Sequence, residues 1–185
     1  MAYFFFDPQD ARKQHIRAFL SSILVQLGNQ AGPFCDILLE FYSAHQYGPG
    51  QPSDGALQQC LVQMLKVSGE TPIYVIADAL DECPDTPKMR SARHKVLELI
   101  EGMVGLHLPN LHLCITSRFK DDIWNALQPL TSTSNRVCLH NEDEQKKDIT
   151  HYVSSVVCPG KAMMKWREKD KDSVIKVLSE RADGV

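Results

Sequence analysis

The sequence predicts a three-layer α/β fold built on a parallel sheet, and three observations carry that prediction. Short apolar runs alternate with helical patterns along most of the chain, the order that builds parallel strands joined by right-handed crossovers. The run Ile73-Tyr74-Val75-Ile76 is apolar without alternation, as in a parallel strand covered on both faces. Two successive runs then stop in polar groups, Asp78 to Glu82 and Thr116-Ser117-Arg118. In a parallel sheet both ends open on the same side, where such folds bind ligands.

The elements follow in order. Tyr3 to Phe6 is aromatic and bounded by Asp7-Pro8, a short buried strand. Asp7 suits a helix N-cap and Pro8 the first helical position. Ile16, Phe19, Leu20, Ile23, Leu24 and Leu27 recur at spacings of three and four, one apolar stripe that ends at Gly28-Asn29. A second helix carries Phe34, Ile37, Leu38, Phe41 and Tyr42 and runs out in Gly48-Pro49-Gly50. Ser53 caps a third, with Leu57, Leu61, Met64 and Leu65 inward. After the acidic strand, Val96, Leu97, Ile100, Met103 and Val104 mark a fourth helix. Leu111 to Arg118 is a strand with a polar end, 121–127 a short helix, and 136–140 a last strand. Two helices, over 142–157 and 161–182, complete the chain.

Composition narrows the class. With 43% hydrophobic and 23% charged residues the 185-residue chain reads as an ordinary globular protein. A net charge of −3 gives no reason to expect nucleic acid or an anionic membrane as partner. No stretch approaches the ~20 apolar residues of a membrane helix. The segment from Met1 to Asp7 has no basic region of the kind that opens a signal peptide. None of the six cysteines forms a C-x-x-C pair, and a cytoplasmic, reduced protein is expected. Cys83 lies beside acids, which raise a thiol pKa, so it is not read as a nucleophile.

The acids suggest chemistry. Carboxylates packed behind an apolar strand are costly in a dry interior, whereas at its open end they can serve a Mg²⁺-nucleotide. One carboxylate holds the metal, often through water. A second acid orients or deprotonates an attacking water, and a guanidinium reads the terminal phosphate. The plainer alternatives are a buried strand running into an acidic surface turn, and an Arg118 paired with Asp121 or Asp122 on the surface.

Ile-Tyr-Val-Ile-Ala-Asp-Ala-Leu-Asp-Glu-Cys (73–83), followed by Leu-Pro-Asn-Leu-His-Leu-Cys-Ile-Thr-Ser-Arg (108–118), resembles the NACHT-type (STAND) P-loop NTPases of signal transduction. The nearest match is the fungal branch with a nephrocystin-like N-terminal domain. The resemblance extends to residues 2–6, to Asp148-Ile149-Thr150-His151-Tyr152-Val153 and to Glu180-Arg181-Ala182-Asp183-Gly184. It implies a sheet of P-loop NTPase type, with 1–141 a partial NTPase core and 142–185 the start of a helical lid. It implies Asp78 as the Walker B metal acid, Asp81 and Glu82 as catalytic acids, and Thr116 and Arg118 as contacts to the nucleotide, Arg118 being the sensor. Mg²⁺ with ATP or GTP is the implied cofactor. The implied partners are nucleotide and the remainder of a larger multidomain protein or a self-oligomer.

One part of that pattern is missing from the 185 residues. The family's G-x-x-x-x-G-K-S/T phosphate loop has no counterpart: Gly160-Lys161 is followed by Ala162, has Ser155 where the first glycine belongs, and follows a helix. The family's sheet places the phosphate-loop strand between the strand ending at Arg118 and the one at 136–140. The expectation is therefore a fragment or truncated gene model of a nucleotide-switch NTPase, lacking its central Walker A strand and inactive alone. The alternative is a non-catalytic interaction or autoinhibitory module derived from the same domain.

Overall fold

The computed structural model describes residues 1–30, 32–46, 50–85, 91–138, 143–159, 163 and 165–181, with backbone alone over 143–146. The chain divides into two compact units, Met1–Thr131 and Ser132–Val185, each described by itself.

In the first unit β1 (Ala2–Phe5), β2 (Ile73–Asp78) and β3 (Leu111–Ile115) form a parallel sheet in the order β1-β2-β3. Three helices connect β1 to β2: α1 (Ile16–Gly28), α2 (Pro33–His45) and α3 (Asp54–Val67). The helix α4 (Ala92–Val104) connects β2 to β3, and α5 (Asp121–Leu127) follows β3. The unit is thus mixed α/β with a parallel sheet, as its alternating pattern predicts. Among the described residues no helix is long and apolar enough to cross a membrane.

The core lies on one face of the sheet. Phe4, Phe6, Ile73, Val75 and Ala77 are buried with Phe19, Leu20, Ile23 and Leu24 of α1, Leu61 and Leu65 of α3, and Val96 and Ile100 of α4. The intervening residues point the other way. Tyr3 is 47%, Phe5 51% and Tyr74 48% exposed, and His112 and Cys114 are exposed beside them. Tyr74 faces His112 across the ladder, and their rings stack at 4.8 Å.

The three layers expected from the sequence are therefore two within this unit. The cause is the direction of the crossovers. Both connections step the same way across the sheet, and right-handed crossovers in one direction deposit their helices on one face. The far edge of β3 likewise has no strand beside it among the described residues. The last strand expected at 136–140 is not formed by Arg136–Cys138, which have no regular structure, and its remaining residues lie outside the described ones.

Local signals account for most boundaries. Ser53 accepts from the Ala56 amide at 3.1 Å to cap α3, and Ser91 caps α4 through the His94 amide. The expected Asp7 cap is corrected. Asp7 instead accepts from Gln9 N in a turn, Asp10 caps a short 3₁₀ turn over Ala11–Lys13, and α1 begins only at Ile16. Gln14 intervenes, its side-chain amide donating to the carbonyls of Asp7 and Pro8. Asn110 ties the start of β3 to the turn after α3. Its buried amide donates to Ser68 Oγ at 2.7 Å and to Thr71 O at 2.8 Å. Asn110→Ala strands both acceptors and is expected to cost about 1–3 kcal/mol in urea unfolding.

In the second unit α6 (Asp143–Val157) and α7 (Glu168–Arg181) pack together. Val157 is buried, and Lys171 bonds Glu168 at 2.9 Å one turn earlier. Gly160-Lys161 lies outside the described residues.

Candidate functional site

The site forms where β2 and β3 run out. The register Ala77↔Ile115 continues by one step, which sets Asp78 opposite Thr116 on the bare face of the sheet. The Thr116 hydroxyl donates to Asp78 Oδ1 and accepts the Ala79 amide at 3.0 Å. The backbones stay zipped beside them, Thr116 N to Ala77 O at 3.0 Å and Leu80 N to Thr116 O at 3.0 Å. On the other side of β2, Phe6 N donates to Asp78 O at 3.1 Å. Asp78 is held by both neighbouring strands.

Directly after Asp78 the chain turns sharply. Ala79 is left-handed, φ 54° and ψ 48°, a conformation that costs a residue with a Cβ about 1–2 kcal/mol. The hydrogen bonds to Thr116 hold it there. The turn opens a 3₁₀ segment, Leu80–Glu82, in which Leu80 is fully buried as an anchor and the two acids face β3. Asp81 Oδ1 accepts the Arg118 amide at 3.0 Å, and its Oδ2 lies 3.6 Å from Arg118 Nε. Glu82 Oε1 is 3.2 Å from Arg118 Nη2. The Asp81 side chain is 6% exposed and that of Arg118 77%, so the guanidinium leans over the acids from solvent. An ion pair this open is worth little to stability.

All five residues expected at the site, Asp78, Asp81, Glu82, Thr116 and Arg118, are thus brought together at one edge. Arg118 pairs with the acids of β2's loop and not with Asp121 or Asp122, the surface partners considered from the sequence.

The donor set bears on what the site can hold. Among the described residues no three His, Cys, Asp or Glu groups gather as a metal cage. One Asp78 oxygen carries Thr116, and the other has no partner among the described residues. Mg²⁺ characteristically takes one or two carboxylates and completes its shell with water and phosphate. Asp78 fits a Mg²⁺ that arrives on a phosphate, and does not fit a bare protein-held ion.

Two further residues shape the loop. Cys83 is fully buried, and its thiol points at Gln14 O at 3.4 Å. Burial pushes its pKa up to about 12, with the Arg93 guanidinium pulling it partly back. The direction agrees with the sequence reading, but desolvation causes it and not the neighbouring acids. The second is Arg93, which no sequence pattern marks. It is buried in the first turn of α4, with Nε on Cys83 O, Nη2 on Asp81 O and Nη1 on Asp122 Oδ2, each at 2.9 Å. Ser91 immediately before the helix marks where α4 starts. Nothing in the local sequence distinguishes Arg93 from a solvent-facing cation.

No curated protein and no solved structure matches the chain. A family model described as nephrocystin 3, N-terminal, matches residues 1–118, a stretch that contains the three described strands and all five site residues. The match covers more than half of the 185 residues, and the chain belongs to the nephrocystin 3 N-terminal family.

Proposed function

We propose that this chain is the metal-and-sensor part of a NACHT-type nucleotide-binding switch of the P-loop NTPase class. The observation that carries the reading is the in-register pairing of Asp78 with Thr116 at the open ends of adjacent parallel strands. Asp81, Glu82 and Arg118 stand beside that pair on the same edge. In this reading Asp78, through the oxygen that Thr116 leaves free, would hold the Mg²⁺ of ATP or GTP, and the ion would supply charge neutralisation at the phosphates. Thr116 keeps that oxygen aimed outward. Arg118 would contact the terminal phosphate, its guanidinium exchanging carboxylate partners for phosphate oxygens. Asp81 Oδ2 and Glu82, released from the Arg118 guanidinium, would then be placed to orient a water, while Asp81 Oδ1 stays on the Arg118 amide.

The sheet supports the same reading. The outer edge of β3 is without a strand among the described residues, at the position where the NACHT resemblance puts the phosphate-loop strand. A glycine-rich cradle of amides supplies most of the grip on a triphosphate. Without that motif in its sequence, the chain holds nucleotide weakly and does not turn it over.

A calorimetric titration with Mg²⁺-ATP and Mg²⁺-GTP tests this. Dissociation constants near 1 mM, about −4 kcal/mol, are expected, requiring Mg²⁺ and abolished by Asp78→Ala. Binding that ignores both Mg²⁺ and the Asp78→Ala change would overturn the assignment.

A second reading has its own observation. Tyr3, Phe5 and Tyr74 leave an aromatic stripe bare on the sheet, and exposed aromatic surface is a mark of protein contact. On that reading the domain is a non-catalytic interaction module. It requires that substitutions on the stripe abolish partner capture while Asp78→Ala does not.

A further inference from the structure

We propose that Arg93 is the positioning residue of this site: a buried guanidinium that sets, from behind, the spacing between the acids and Arg118. The proposal rests on the functional reading above and assigns a new residue to it. Arg93 does not touch the edge where a ligand would bind.

Its placement would be unfavourable without partners. A cation in the first turn of a helix sits at the positive end of the helix dipole, and α4 has no acidic residue there to offset it. The side chain is also withdrawn from water, at 8% exposure for the residue, which is costly for a charge without partners. The partners are specific. Two go to backbone carbonyls of the acidic loop, Asp81 O and Cys83 O, and the third to Asp122 Oδ2 in the first turn of α5. Arg93 N adds a bond to Pro84 O at 3.2 Å.

One planar group therefore spans both halves of the site. The loop carrying Asp81 and Glu82 leaves β2, and α5 begins three residues after Arg118. On the solvent side Arg118 bridges the same two segments through an open ion pair that water screens. The buried Arg93 link is the rigid one. Three hydrogen bonds in fixed directions need a guanidinium, since an ammonium on the same stem offers no planar fork.

The test uses the ¹⁵N-labelled chain with Arg93→Lys, which keeps the charge and loses the fork, and Asp122→Asn, which alters the α5 limb alone. The strand amides of β1, β2 and β3 report whether the fold is intact. The Arg118 amide, donating to Asp81 Oδ1 at 3.0 Å, reports the spacing without any ligand. In Arg93→Lys the strand amides are expected to keep their positions. The Asp81, Glu82 and Arg118 amides move, and Arg118 loses the downfield shift of a carboxylate acceptor. Asp122→Asn moves the same three amides by less. With Mn²⁺-ATP as probe, the concentration for half-maximal broadening at Ala79 rises about tenfold in Arg93→Lys, the scale seen when a group behind metal ligands is lost.

A lower melting temperature with those three amides unmoved would overturn the proposal, leaving Arg93 as a fastening for α4 alone. If the wild-type chain shows no Mn²⁺-ATP broadening while Arg93→Lys still shifts the three amides, the nucleotide reading fails and the positioning role stands. If Arg93→Lys does not fold, Asp122→Asn decides, and unmoved site amides in that variant would overturn the proposal.

Discussion

Phe19→Ala is expected to destabilise the chain by about 3–5 kcal/mol in urea unfolding, the usual range for emptying an aromatic site in a core. Phe19 is fully buried on α1, with its ring edge-on to Phe4 at 5.6 Å and stacked on Phe6 at 6.0 Å. It is one of the contacts through which α1 holds β1, beside the Gln26 amide on the backbone of Tyr3. Phe6 in turn donates to Asp78 O, so loss of the ring loosens one of the two strands that fix Asp78. Tyr3→Ala, one residue from Phe4 on the opposite face, is expected to cost no more than about 1 kcal/mol. That contrast reads the one-sided burial of the sheet directly. Equal losses at Phe19 and Tyr3 would mean that the aromatic stripe is covered in solution.

The second large effect is alkaline. Burial pushes the Cys83 thiol from its ordinary value of 9.0 up to about 12. Between those values the unfolded chain has released the proton and the folded chain still binds it, so stability falls as pH rises. The full contribution is present below pH 9 and lost progressively towards pH 12. At about 1.4 kcal/mol per unit the loss reaches at most about 4 kcal/mol. The quantity to follow is the difference between the wild-type chain and Cys83→Ala, in which other alkaline ionisations cancel. Wild type is expected to be the more stable below pH 9, with its advantage shrinking or reversing as the pH climbs. A pH-independent difference would show that the thiol is not the group responsible. Because Cys83 closes the loop that carries Asp81 and Glu82, the same ionisation is expected to disorder the acidic edge first.

Much of this architecture is legible in the sequence. The stripes of α1, α3 and α4 follow the helical period, and Ser53 and Ser91 stand at helix starts. The strands β2 and β3 are apolar runs too short for helices, and both stop in polar residues. That coincidence was enough to bring Asp78, Asp81, Glu82, Thr116 and Arg118 to one edge, since parallel strands open together.

Other features left no local trace. The side of the sheet on which a crossover helix lands depends on strand order, which alternation of elements does not specify. The run Ile73–Ile76 therefore looked doubly covered, although Tyr74 is half exposed. Asp7-Pro8 carried a proper helix-start signal, but Gln14 binds the carbonyls of both and the helix is deferred to Ile16. Arg93 was hidden for a different reason. Two of its partners are backbone carbonyls, which every residue has, and the third is 29 positions away. Ala79 likewise gave no glycine or asparagine to signal a left-handed turn; the Thr116 hydroxyl on the next strand holds it in that conformation.

The central claim is that the open ends of β2 and β3 form a single phosphate-and-metal edge. Paramagnetic broadening by Mn²⁺-ATP in the amide spectrum tests it most directly, because it locates even a weakly bound ion. The account expects broadening confined to the amides of residues 78–82 and 116–118, stronger with ATP than with ADP, and lost in Asp78→Ala. Broadening centred elsewhere on the chain, or none at those amides, would contradict it.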